Sequence, residues 1–318
     1  MITLILFTVL YFKFTNKRSV ALKGMGVFLF CGLFFSTASI VYYVSKNDLT
    51  LDFALFTDVP SLNEVSENDL PFLLIRNNEI IDGFTLYSEA IDAARLSEDT
   101  EVHLHVQGNL IWHRNLNIAE KVLLNVPLIE QLPELPRGCE VTSLAMLFAY
   151  HHLSIDKMFL AEKVMKDPTP YQKKGDTIYF GDPHQGFVGD MYNRTNPGYG
   201  VYHLPIEQLA KDYSDEDVIN LTGTSFDHVL LQLSQGHPVW IISNTKYSKL
   251  PSSAFETWQT PNGPREITYH LHSVVVTGFD QEFIYFNDPL EGTKNRKMPR
   301  GSFIEAWEQM GKQAIVLH

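Results

Sequence analysis

The chain has 318 residues, 45% of them apolar, and a net charge of −12, which is the composition of a globular protein with room for one large domain or two modest ones. Its two cysteines, Cys31 and Cys139, exclude a disulfide framework, and no group of Cys and His has zinc-finger spacing. Residues 1–46 hold five basic residues and no acid, leaving 20 basic against 37 acidic in the remainder; that −17 balance argues against nucleic acid as a partner.

Ile2 to Phe12 is an apolar run too short to span a bilayer comfortably, whereas residues 21–44 form a run of spanning length. Lys23 can snorkel near its start, and Tyr42 and Tyr43 fall where an interfacial aromatic belt belongs. Lys13, Lys17 and Arg18 lie between the two runs, so the positive-inside rule places that connection in the cytoplasm and everything after Lys46 outside the cell membrane. A cleaved signal peptide fits less well, because Ile40 to Val44 stays apolar beyond the small residues Ser36 and Ala38. A lipoprotein site at Cys31 is excluded by the bulky Phe30 before it. Residues 1–46 are therefore expected to be a membrane anchor.

Residues 47–121 divide into a polar, acidic linker to about residue 70 and a small α+β segment. Asn77-Asn78 between Leu73-Leu74-Ile75 and Glu79-Ile80-Ile81 is a hairpin signal. A helix is expected over Ser88 to Leu96, and Val102, Leu104 and Val106 alternate with His103 and His105 in a half-buried strand. Those two histidines have no third ligand nearby, so no metal or other cofactor is assigned.

From Val122 to His318 the pattern is that of a larger domain. Its principal helix runs from Glu140 to His152, with Val141, Leu144, Ala145 and Phe148 on one face. Asp167 to Tyr202 is long, aperiodic and rich in Gly, Pro, Asn and Tyr, the texture of a functional loop or lid. A helix follows at Phe226 to Gln235, and strands at Pro238 to Ile242, His272 to Thr277, Phe283 to Phe286 and Ala314 to Leu317. Ser302 with Glu305 has capping-box spacing for a last helix that faces the core with Phe303, Ala306, Trp307 and Met310.

Cys139 stands where a Pro/Gly-broken loop, Pro136-Arg137-Gly138, becomes a helix, and a helix N-terminus favours a thiolate. A single soluble cysteine with a distant histidine and a distant carboxylate is the pattern of a cysteine nucleophile. His272 is the expected base, with His270 as its rival two residues earlier, and Asp288 is placed to orient the imidazole. Gln131 can lend a side-chain N–H to an oxyanion hole, with the Cys139 backbone N–H as second donor. The remaining histidines, His151, His152, His184, His203, His228 and His237, read as helix ends, loops and surface.

Asn125-Val126-Pro127-Leu128-Ile129-Glu130-Gln131 followed by Gly138-Cys139-Glu140-Val141-Thr142-Ser143-Leu144-Ala145-Met146 resembles bacterial papain-like cysteine peptidases related to the bacteriocin-processing, double-glycine leader peptidases. So do Gly186-Phe187-Val188-Gly189, Gly198-Tyr199-Gly200-Val201-Tyr202, His272-Ser273-Val274-Val275-Val276-Thr277-Gly278 and Asn287-Asp288-Pro289. The resemblance covers about residues 122–318. It implies an α+β, papain-like fold in which a helix bearing Cys139 packs on an antiparallel sheet bearing His272 and Asp288, with Gln131 as oxyanion donor. No transporter domain is fused to this chain, so chemistry transfers better than substrate. The reading is a membrane-anchored, outward-facing cysteine peptidase or amide hydrolase with a peptide or protein substrate. The alternatives are a silent papain-like module that binds peptides or cell-wall fragments, and an acyl transferase using the same triad.

Overall fold

The computed structural model describes residues 70–104 and 108–318, all within one unit, Ser66–His318. The first strands, β1 (Phe72–Arg76) and β2 (Glu79–Phe84), form the expected hairpin, and both Asn77 and Asn78 adopt positive φ as its tight turn requires. Helix α1 (Tyr87–Leu96), β3 (Thr100–Leu104) and β4 (Asn109–His113) complete a four-stranded antiparallel sheet of order β2-β1-β3-β4 with α1 packed on it. His103 bonds to Glu101 and to the Gly108 carbonyl; His105 lies outside the described residues.

This segment shares its core with the larger domain. Phe72, Leu74, Ile91 and Val102 are buried in one cluster with Val229, Ile241, Val274 and Trp307. Next come β5 (Val122–Leu123), α2 (Cys139–Tyr150), α3 (Lys157–Lys163), and the short strands β6 (Lys166–Asp167), β7 (Gln172–Lys174), β8 (Thr177–Tyr179) and β9 (Phe187–Val188). After them are α4 (His203–Tyr213), β10 (Val218–Asn220), α5 (Phe226–Ser234), β11 (Val239–Asn244), β12 (Glu256–Thr260), β13 (Gly263–Ile267), β14 (Leu271–Phe279), β15 (Phe283–Asp288), β16 (Thr293–Pro299), α6 (Arg300–Gln309) and β17 (Ala314–Leu317).

The main sheet is antiparallel, in the order β10-β17-β11-β14-β15-β16, with β5 paired to β14. Its middle strands are continuous apolar runs because both faces are covered. Val239, Ile241, Val274, Val276, Ala314 and Val316 face the cluster containing α5 and α6. Trp240, Ile242, Val275, Ile315 and Leu317 face α2, α3 and α4. Helix α2 is covered all round, with residues 139 to 148 buried, which explains an apolar pattern without a polar face.

Two sequence expectations need correction. Helix α6 starts at Arg300 after Pro299, and Ser302 lies inside it, donating to the Tyr247 carbonyl (2.9 Å) rather than capping. His228 is not at the surface: it is 3% exposed on α5 and ties α1 to the domain through Tyr87 Oη (2.9 Å) and Arg95 Nη2 (3.0 Å). Arg95 can only donate, so Nε2 accepts and the neutral ring carries its proton on Nδ1. Burial, then the Arg95 charge, pushes His228 down to about 4. No helix among the described residues is long and apolar enough to cross a membrane; the expected span at 21–44 and the linker to residue 69 lie outside them.

Candidate active site

The sequence motifs around Cys139 are separated in the chain and are clamped together by hydrogen bonds that each engage a backbone group. Asn287 Nδ2 donates to the carbonyls of Val126 (3.0 Å) and Pro127 (3.2 Å), and Gln131 N–H donates to Pro289 O (2.9 Å). Between the Gly186–Gly189 and Gly198–Tyr202 segments, Val188 N–H donates to Gly200 O (3.0 Å) and Tyr199 N–H donates to Val188 O (2.8 Å), and Val201 N–H reaches the Glu140 side chain (3.0 Å). Trp240 Nε1 on β11 holds the Glu140 carbonyl (3.0 Å), fixing the first turn of α2 against the sheet.

Cys139 is the first residue of α2, behind Gly138, and His272 is the second residue of β14. By alternation His272 shares a sheet face with Val274 and Val276, while α2 packs on the other face. Cys139 and His272 line a cavity of about 290 Å³ together with Gln131, Arg137, Arg194, Tyr199, Tyr269 and others. Ser273 N–H, next to His272, also faces the Cys139 sulfur.

Behind the cavity, His272 Nε2 pairs with Asp288 Oδ1 at 2.9 Å, with both side chains almost wholly buried. Nδ1 is thereby left as the ring nitrogen available to the thiol. Asp288 also accepts from Tyr247 Oη (2.6 Å), Arg296 Nη1 (2.8 Å) and the N–H groups of Leu290 and Glu291. Burial alone would raise this carboxyl, but the bonds and charge of His272 and the Tyr247 hydroxyl hold it well below the usual carboxylate range. Arg296 lies over the Tyr247 ring at 4.9 Å, so the pair braces the same carboxylate. His270, the rival base, sits in the turn before β14 and bonds to Thr245 Oγ1 (3.0 Å).

Gln131 is 2% exposed and lines the cavity, with Nε2 donating to Leu135 O (3.1 Å) and Pro136 O (3.3 Å). The Asp167–Tyr202 stretch forms a cleft wall. Arg137 donates to the carbonyls of Asp190, Asn193, Arg194 and Asn196, and Arg194 Nη2 donates to Pro136 O (3.1 Å). These bonds fix the wall to the loop before Cys139.

Three residues of the site escape sequence reasoning: Glu140, Tyr247 and Arg296. Glu140 is 1% exposed, and its Oε2 accepts the Cys139 S–H at 3.3 Å. Burial, and next the Glu140 charge, push the thiol well above its ordinary value, outweighing the Ser273 N–H. With Glu140 ionised, its carboxylate and the dry environment favour S–H and oppose the pull of the helix start toward a thiolate.

The Peptidase_C39 like family matches residues 123–315. An uncharacterised protein of Bacillus subtilis (strain 168), YvpB, is 49% identical over 196 residues, covering 61% of this chain and 75% of its own. The crystal structure of a candidate C39-like peptidase from Bacillus anthracis aligns with TM-score 0.58 at 46% identity, covering 63% of this chain and 98% of that one.

Proposed function

Since the chain belongs to the Peptidase_C39 like family, with its papain-like fold, we propose that it is a cysteine peptidase working through Cys139, His272 and Asp288. The observation that carries this reading is one cavity lined by Cys139 and His272, with a buried carboxylate on the far nitrogen of the imidazole. The thiol proton passes to His272 Nδ1, and the thiolate attacks a peptide carbonyl carbon. The oxyanion is met by the Cys139 N–H, which has no carbonyl partner among the described residues, and by Gln131 Nε2 turned from Pro136. As the C–N bond breaks, His272 gives its proton to the leaving amine. Water, deprotonated by His272, then releases the acyl group from sulfur. Asp288 stabilises the imidazolium in both halves and fixes the ring.

We also place this domain outside the cell membrane, held by the apolar run at 21–44, on the strength of the basic residues between the two N-terminal runs. The test is incubation of the full chain with a peptide library, read by mass spectrometry. New cleavage products that vanish with Cys139→Ala support the reading. An absence of products, with Cys139→Ala retaining peptides as well as the parent chain, would favour a binding module.

A further inference from the structure

The Glu140 carboxyl is hemmed in on two sides, and its main chain is fixed on a third. Val201 N–H takes Oε1 at 3.0 Å, and a Cβ at Gly200 would lie 2.3 Å from the same oxygen, so only glycine leaves it room. Trp240 fixes the residue's own carbonyl. What remains is Oε2, which faces the Cys139 sulfur. An ionised carboxylate there accepts S–H and repels a thiolate, whereas a protonated one donates O–H to a thiolate and stabilises it.

We propose that Glu140 is a positioning residue for the nucleophile: ionised, it holds Cys139 as a thiol; protonated, it donates to the sulfur and lets the thiol proton pass to His272. The proposal rests on the reading of Cys139 as the nucleophile. Below the switch Glu140 keeps its proton and Cys139 and His272 form a thiolate–imidazolium pair. Above it Cys139 keeps its proton and donates it in a hydrogen bond to the ionised Oε2. Burial pushes the Glu140 carboxyl up to about 7, which sets the switch near neutrality. The other titratable groups facing it leave it in control. Tyr199 and Tyr202 from the wall are pushed further toward their neutral forms, by burial first. From β14, His272 is paired with Asp288, and Tyr247 beyond it is likewise held neutral by burial and Asp288. No Lys or Arg pairs with Glu140 among the described residues.

The test is the rate of Cys139 alkylation by iodoacetamide on the full chain between pH 5.5 and 8.5. For the parent chain the rate should fall about tenfold from pH 6 to 8, following the protonated fraction of a group titrating near 7, although an ordinary thiol speeds up over that range. Glu140→Gln keeps an oxygen for Val201 N–H and offers the sulfur an N–H at every pH. It should abolish the fall and react about tenfold faster at pH 8. Independently of that variant, ¹³C NMR of Glu-labelled chain should show a carboxyl titrating near 7, absent in any Glu140 variant that folds. A parent rate that rises steadily with pH, no such resonance, or a fall that persists in Glu140→Gln overturns the proposal. Slow alkylation at pH 6 that ignores His272→Ala would instead count against Cys139 as nucleophile. Fast, His272-dependent alkylation with superimposable parent and Glu140→Gln profiles would count against Glu140 alone.

Discussion

Replacing Asp288 by Asn preserves the outline of the side chain while removing its charge, and the surroundings allow the cost to be worked out. Asp288 is acceptor only and takes five donors: His272 Nε2, Tyr247 Oη, Arg296 Nη1 and two backbone N–H groups. An amide must turn its NH₂ toward at least one of them. Removing one partner of a buried ion pair costs about 3–5 kcal/mol. Arg296 is 30% exposed and can swing toward water, which favours the lower end, about 3 kcal/mol. For a domain of this size that corresponds to a melting temperature lower by roughly 6–12 °C. The imidazolium also loses its counter-charge, so cysteine-dependent turnover should fall by about 10²–10⁴. Scanning fluorimetry and the pH 6 alkylation rate measure the two effects separately. An Asn variant that melts with the parent chain and alkylates at the parent rate would refute the placement of this carboxylate behind His272.

Gly200→Ala puts a methyl 2.3 Å from Glu140 Oε1 and 2.5 Å from Leu271 Cδ2. Because Val201 pins that oxygen, the strain should cost about 1–3 kcal/mol by denaturant unfolding; a midpoint equal to the parent's would mean the wall does not press on Glu140. Acid stability has a predicted shape as well. His228 at about 4 and His318 at about 3 are held down mainly by burial, so the unfolded chain takes up protons below about 6.5 while the native state does not. Asp288, held low, adds a loss beginning near pH 4, where the unfolded carboxyl starts to protonate. From these groups stability should decline as pH falls from 6.5 toward 3. Replacing His228 by Gln should flatten the upper part of that limb in urea titrations, and an unchanged slope would count against a buried neutral ring.

The parts of the fold that were legible in the sequence are those where local chemistry and tertiary packing agree. Asn77-Asn78 can adopt positive φ cheaply, and the β3 alternation survives as one buried and one half-exposed face. The missed strands lack such agreement. β16, Thr293–Pro299, is an edge strand with four charged or amide residues, and β12 and β13 form an exposed hairpin carrying Trp258 as their buried anchor. Ser302 and Glu305 had capping spacing, yet Pro299 starts the helix earlier and the Tyr247 carbonyl claims the serine. Cys139, His272, Asp288 and Gln131 were expected together because their proposed chemistry is tied to residue type and order, and the fold does bring Cys139, His272 and Gln131 to one cavity with Asp288 behind His272. Glu140 looked like an ordinary acid in a helix's first turn, and only the Gly200–Val201 backbone turns it toward sulfur. Tyr247 and Arg296 converge on Asp288 from different elements, with no motif to announce them.

The central claim, that Cys139 is a nucleophile served by His272, is tested most directly by alkylation at pH 6. The parent chain should react with iodoacetamide far faster than free cysteine, whose pKa near 8.5 leaves little thiolate there, and His272→Ala should bring the rate back to that of an ordinary thiol. A parent rate no faster than free cysteine, and the same with and without His272, would contradict it.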